Sequence, residues 1–159
     1  VGNILKKVLL LFLCGHSGWV LASESLVERE KVLSQLLYVP VYSEIPYGDR
    51  NLTLNLTATL AIRNLDQSAS LTLTRVDYYD AKGALVRGFL SKPLVIAPMS
   101  SIDYVVGESD RSGGVSSSFL VEWQSEVRIN APYVEAVMVN ITYNKAVAFT
   151  GTAQILKAQ

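Results

Sequence analysis

The chain has 159 residues, half of them hydrophobic, and its 14 basic and 14 acidic side chains balance to a formal net charge of zero. That length suits one domain, and that composition can fill a core. With no basic cluster beyond the N-terminal segment, the chain lacks the surface that nucleic-acid binding needs to neutralise phosphates.

The first 22 residues read VGNILKKVLLLFLCGHSGWVLA. Lys6 and Lys7 form a basic start, Val8 to Leu13 an unbroken apolar run, and Val20, Leu21 and Ala22 offer an export peptidase Val at −3 and Ala at −1. This is the layout of a secretory signal peptide. The apolar run is well short of the ~20 residues that span a bilayer as a helix. Cleavage after Ala22 leaves 137 of the 159 residues, with a formal charge of −2, and predicts a periplasmic or secreted protein. Cys14 and His16, the single cysteine and the single histidine, leave with this segment. The processed chain is then without a disulfide, without the usual general base and without the commonest metal ligand. Leu13 directly before Cys14 argues against a lipid anchor, since bacterial lipidation prefers a small residue there. Membrane attachment would otherwise run only through the uncleaved leader.

Ser25 to Glu28 has the S-x-x-E form of a capping box, and Leu26, Val32, Leu33, Leu36 and Leu37 follow at roughly helical spacing. Residues 23–37 are therefore expected to form a short helix or stem, with a β domain over 38–159. From Tyr38 the period becomes two. Leu52, Leu54, Leu56, Ala58, Leu60 and Ile62 share one face, in a run long enough to predict a bend or bulge. Leu71 and Leu73 alternate with threonines, but Val76 and Tyr78 have the opposite parity, so one extra residue near Arg75 predicts a β-bulge. Asp80-Ala81-Lys82-Gly83 is a tight-turn signal, with Ala84 to Leu90 returning as a hairpin partner.

Pro93 and Pro98 bracket a short strand over Leu94 to Ala97. Ile102, Tyr104 and Val106 alternate, as do Phe119, Val121 and Trp123, and this spacing places Trp123 in the core. Tyr133 to Tyr143 is apolar on both faces, which predicts a central strand or one whose outer face is covered by the stem or by a partner. Val147, Phe149 and Ile155 mark a final strand. About nine short strands without crossover helices predict a mainly β protein: an antiparallel β-sandwich of immunoglobulin-like architecture with a short N-terminal helix or stem.

The ordered set YVPVYS (Tyr38 to Ser43), IRN (Ile62 to Asn64), VDYYDAKG (Val76 to Gly83), KPLVIAP (Lys92 to Pro98), Asp110 to Gly114, FLVEW (Phe119 to Trp123) and EAVM (Glu135 to Met138) resembles a family of exported bacterial proteins catalogued as domain of unknown function 3124. The resemblance runs from Tyr38 to about Phe149. It implies an exported, mainly β domain and carries no activity with it.

The stretch SDRSGG (Ser109 to Gly114) looks like a loop bearing a nucleophilic serine. A serine nucleophile needs a base and a group to orient that base, and the processed chain offers no histidine. The expected role is a flexible connection between strands. Asp77, Asp80 and the glycine turn lack calcium-loop spacing and supply too few oxygens alone, so no metal or other cofactor is expected. Three N-x-T triplets, at Asn51, Asn55 and Asn140, follow from strand alternation. The residues singled out for ligand or partner contacts are Asp77, Tyr79, Asp80, Asp110 and Glu122. The function expected is a non-enzymatic module that contacts an envelope protein. The alternative is small-ligand or carbohydrate binding through exposed tyrosines and carboxylates.

Overall fold

The computed structural model describes residues 30–49, 52–142 and 145–159. The leader and the first part of the proposed stem lie outside them. Twelve strands are described: β1 (Lys31–Val41), β2 (Glu44–Tyr47), β3 (Leu52–Asn55), β4 (Thr57–Arg63), β5 (Leu71–Tyr79), β6 (Leu85–Gly88), β7 (Leu94–Ile96), β8 (Ser101–Val106), β9 (Ser117–Asn130), β10 (Tyr133–Thr142), β11 (Lys145–Thr152) and β12 (Gln154–Ala158). One sheet runs β12-β1-β9-β5-β6, with β7 also paired to β5. The other runs β11-β10-β4-β8, and β2 and β3 form a separate hairpin. All pairings are antiparallel. The protein is the antiparallel sandwich expected from the sequence.

The period-two faces supply its core. Leu37, Val39, Val41, Leu71, Leu73, Val76, Tyr78, Phe119, Val121 and Trp123 come from the larger sheet. Ala58, Leu60, Ile62, Val106, Val134, Ala136 and Met138 come from the smaller one. They form a single buried cluster. Each fully buried large side chain contributes on the order of 1.5–3 kcal/mol relative to exposure, which is the main drive for closing the layers.

Two irregularities fall where the sequence places them. The register of β5 against β9 shifts between Leu73 and Arg75, so Thr74 and Arg75 both face solvent and parity is restored at Val76. The run from Leu52 to Ile62 breaks at Leu56, which is fully buried and separates β3 from β4. The turn at Asp80 is built as expected. Its carboxylate accepts from the amides of Lys82 (2.9 Å) and Ala84 (2.8 Å), and Gly83 takes the positive φ of 81°.

The N-terminal stem requires correction. Lys31 to Leu37 are strand, not the end of a helix, so the β domain begins before Tyr38. The apparent helical spacing has its cause in the partner strand. Val32 pairs with Ile129 and Ser34 with Gln124, so four residues of β9 bulge out opposite Leu33 and the parity of β1 flips. Val32 and Leu37 thereby face the same core five residues apart. The Leu33 amide also donates to the carbonyl of Gln159 (2.7 Å), which ties the start of the domain to its C-terminal end.

The final strand is two strands. After β11 the chain crosses at Ala153 from the smaller sheet to the larger, where β12 pairs with β1. Just before the crossing, a Cβ on Gly151 would meet the Pro40 carbonyl oxygen at 2.1 Å, so only glycine lets the layers close there.

A second device fixes the β4–β5 connection. Asn64 is buried, and its Nδ2 donates to the carbonyls of Ala69 (2.9 Å), Ala97 (3.1 Å) and Ile96 (3.2 Å). Asp66 accepts from the Ser68 and Ala69 amides (both 3.0 Å) and from the Asn130 amide (3.2 Å). These backbone donors, Ser68 first, hold its carboxyl at about 2, below the ordinary 3.8. Because the folded-state value is the lower one, the stabilisation is complete above the ordinary value and disappears as pH falls toward 2. Asp66→Asn should lower the urea midpoint at neutral pH, and its gap to wild type should close between about pH 4 and 2. A gap that stays constant over that acid range contradicts this assignment.

Candidate functional site

The five residues singled out from the sequence do not converge. Asp77 lies on the solvent side of β5 and Glu122 on that of β9, flanking Arg75 at 3.7 and 3.8 Å. Pairs this long and open contribute little, about 0–1 kcal/mol. Tyr79 is half-buried beside Ser118 and Leu85 in the same sheet. Asp80 is occupied by its turn. Asp110 pairs with Arg87 and accepts from the amide (3.1 Å) and hydroxyl of Ser112. The Ser112 hydroxyl, with Arg87 beside it, holds the Asp110 carboxyl below the usual range. Among the described residues, no three His, Cys, Asp or Glu side chains are grouped as a metal ion would need.

The Ser109 to Gly114 stretch connects β8 to β9, as expected, and hydrogen bonds tie it to the β1–β2 connection and to the Asp80 turn. Tyr78 sends its hydroxyl to the end of the core, where it donates to Ser117 Oγ (3.2 Å), which donates in turn to the Val41 carbonyl (3.2 Å). With the phenolic proton committed, Ser43 Oγ donates to Tyr78 at 2.5 Å. A Cβ on Gly113 would lie 1.8 Å from the same hydroxyl, so the loop can press onto it only as glycine. The backbone reinforces the clamp: Ser43 N donates to Gly114 O (3.2 Å), Ala81 N to Gly113 O (3.1 Å) and Leu56 N to Ser43 O (2.8 Å). Arg111 adds two bonds to Glu44 Oε2, at 2.6 and 3.0 Å. Gly113 is here because of packing and Gly114 because of its positive φ of 68°, with Ser112 bonding its neighbour Asp110.

This clamp stands at the base of the β2–β3 hairpin, which walls a cleft the sequence did not announce. The cleft has a volume of about 630 Å³ and is lined by Ile45, Tyr47 and Leu54 of the hairpin and by Asn140, Thr142, Lys145 and Val147 of β10 and β11. Burial along the inward faces grades outward. Met138 is fully buried and Asn140 nearly so, while Thr142 is exposed. On β11, Phe149 packs edge-on against Tyr42 at 5.7 Å, Val147 is partly open and Lys145 is exposed. The cleft floor is internally satisfied. Both Nδ2 hydrogens of Asn140 are used, on Asn55 O (2.8 Å) and Glu108 Oε1 (3.0 Å), and Thr142 Oγ1 donates to Asn140 Oδ1 (2.6 Å). An amide so enclosed offers no room for a glycan at this N-x-T triplet. A polar residue at the inward parity of Val134, Ala136 and Met138 was the one available sign that the core ends there.

The other side of β10 faces out. Val137, Val139 and Ile141 share this surface with Ala148 and Ala146 of β11, Thr57 and Thr59 of β4, and Val105 of β8, as the pairing register dictates. Ile141 is 74% exposed and Val105 47%. Arg63, Tyr133 and Glu135 border the patch: Arg63 bonds Glu135 (2.8 Å) and lies over the Tyr133 ring, whose hydroxyl donates to Glu135 (3.1 Å). That bond to a carboxylate, first among the causes, raises the Tyr133 phenol above its ordinary value.

The fold and these surfaces define a two-layer β domain with an open end and an apolar outer face. The chain belongs to the family described as "Protein of unknown function (DUF3124)", whose profile matches residues 34–156. None of the curated proteins matches the chain. A solved structure described as "Crystal Structure of Thermotoga maritima 1070" is similar at 17% identity with a TM-score of 0.43, covering 79% of this chain and 97% of the other.

Replacing Tyr78 by Phe strands the Ser43 hydroxyl and should cost about 1–3 kcal/mol in urea unfolding. Gly113→Ala forces the loop off the same hydroxyl and should cost a similar amount, about 1–3 kcal/mol. Unchanged midpoints in both variants contradict the clamp.

Proposed function

We propose that the protein is an exported, non-enzymatic contact module of the bacterial cell envelope, and that it binds an envelope protein through the outer face of the β8-β4-β10-β11 sheet. The observation that carries this reading is the outer face of β10. Val137, Val139 and Ile141 continue an apolar surface onto Ala146 and Ala148, with Thr57 and Thr59 on the other side and Val105 beyond them, and among the described residues no further strand is paired over this face. An apolar centre beside an Arg–Tyr–Glu border has the composition of a protein interface, where aromatic residues and Arg are enriched and the rim is polar. The export half of the reading rests on the basic, apolar and small-residue order of residues 1–22.

A carboxylate placed at the centre of such a surface would be buried unpaired on binding. Val139→Glu should therefore weaken association by about tenfold or more. Immobilised wild-type protein should retain a reproducible partner from envelope extract. Val139→Glu should lose it, while Ile155→Glu on β12, in the other sheet, should keep it. Failure to recover any reproducible partner, or equal recovery by Val139→Glu, counts against the reading.

A further inference from the structure

We propose that the cleft between the β2–β3 hairpin and the ends of β10 and β11 binds the apolar chain of a small anionic amphiphile, with the anionic head at Lys145. The site is independent of the contact face, since it uses the opposite side of β10.

Three observations carry the assignment. The cleft volume of about 630 Å³ falls within the range of roughly 300–1,000 Å³ typical of small-molecule sites. Its walls are aliphatic and aromatic: Ile45 pairs across the hairpin with Leu54, and Val147 faces them from β11. Its deepest polar group, Asn140, has both amide hydrogens committed and its Oδ1 occupied by Thr142. A ligand oxygen finds no free N–H of Asn140 to replace its hydration, whereas an alkyl chain gains from leaving water.

The charges set the direction. Glu108 stands behind Asn140, hydrogen-bonded to it, and disfavours an anion at the deep end. Lys145, at the exposed end, forms no ion pair with a described carboxylate. An entering amphiphile therefore places its tail toward Asn140 and its negative head beside Lys145, with the exposed Tyr47 at the rim. Sugars fit this site poorly, because they would need free donors and acceptors along its walls.

Titration with decanoate below its micellar concentration, followed by methyl NMR, tests this. Saturable shifts should appear at Ile45, Leu54 and Val147. Lys145→Gln should weaken decanoate binding about three- to fivefold, the size expected of one partly exposed charge contact, and should leave binding of decanol unchanged. Val147→Trp, which fills the cleft from a partly exposed position, should abolish the shifts at Ile45 and Leu54. Decyltrimethylammonium should bind at least tenfold more weakly than decanoate. Absence of saturable shifts at these methyls, equal binding of the cationic and anionic probes, or unaltered decanoate binding by a folded Val147→Trp variant overturns the proposal. These outcomes are separable from loss of a protein partner, which is read on Val139.

Discussion

One buried hydroxyl organises the open end of this sandwich. Tyr78 projects from β5 into the core, packs its ring on Phe119 at 5.1 Å, and reaches Ser43 and Ser117 with its oxygen. A phenol in that position must be satisfied, because leaving it unpaired costs as much as several favourable contacts return. Its partners come from the β1–β2 connection and the start of β9, and Gly113 closes over it from the β8–β9 loop. Three parts of the chain far apart in sequence, around Ser43, Tyr78 and Gly113 to Ser117, are thereby held at one point.

The neighbouring geometry follows from that point. Ser43 directly precedes β2, and its carbonyl receives the amide of Leu56, between β3 and β4. Both ends of the β2–β3 hairpin are thus anchored at the clamp. The hairpin belongs to neither large sheet and stands opposite the ends of β10 and β11. Beyond Phe149, their inward faces meet the hairpin across a gap instead of the core, and this gap is the cleft. β10 consequently has two distinct faces. The inward one passes from core to cleft at Asn140, and the outward one carries the half-buried Val137 and Val139 and the exposed Ile141.

Much of the fold was legible in the chain because strand alternation reports directly on burial. The parity slip at Arg75, the break in the Leu52–Ile62 run, the Asp80 turn and the burial of Trp123 each required only local pattern. Three features needed information that lies elsewhere. Lys31 to Leu37 imitates a helix because a bulge in β9, almost a hundred residues away, flips the parity of β1. The close approach of Gly151 to Pro40, just before β11 gives way to β12, is set by a residue more than a hundred positions earlier. The cleft is assembled from two hairpins whose juxtaposition depends on Tyr78. Carboxylates drew attention as candidate ligands, yet Asp80 and Asp110 are committed to their own loops and to Arg87. Acidic residues at turns are caps and clamps first, and sequence shows the residue type without its partner.

Hydrogen exchange of three amides tests the clamp most directly: Ser43 to Gly114, Ala81 to Gly113, and Leu56 to Ser43. If the Tyr78 hydroxyl ties these segments into the core, the three amides exchange together and as slowly as Val121 in the middle of β9. If they exchange at the rate of the Gly48 turn while Val121 stays protected, the hairpin is not anchored and the account of the open end is wrong.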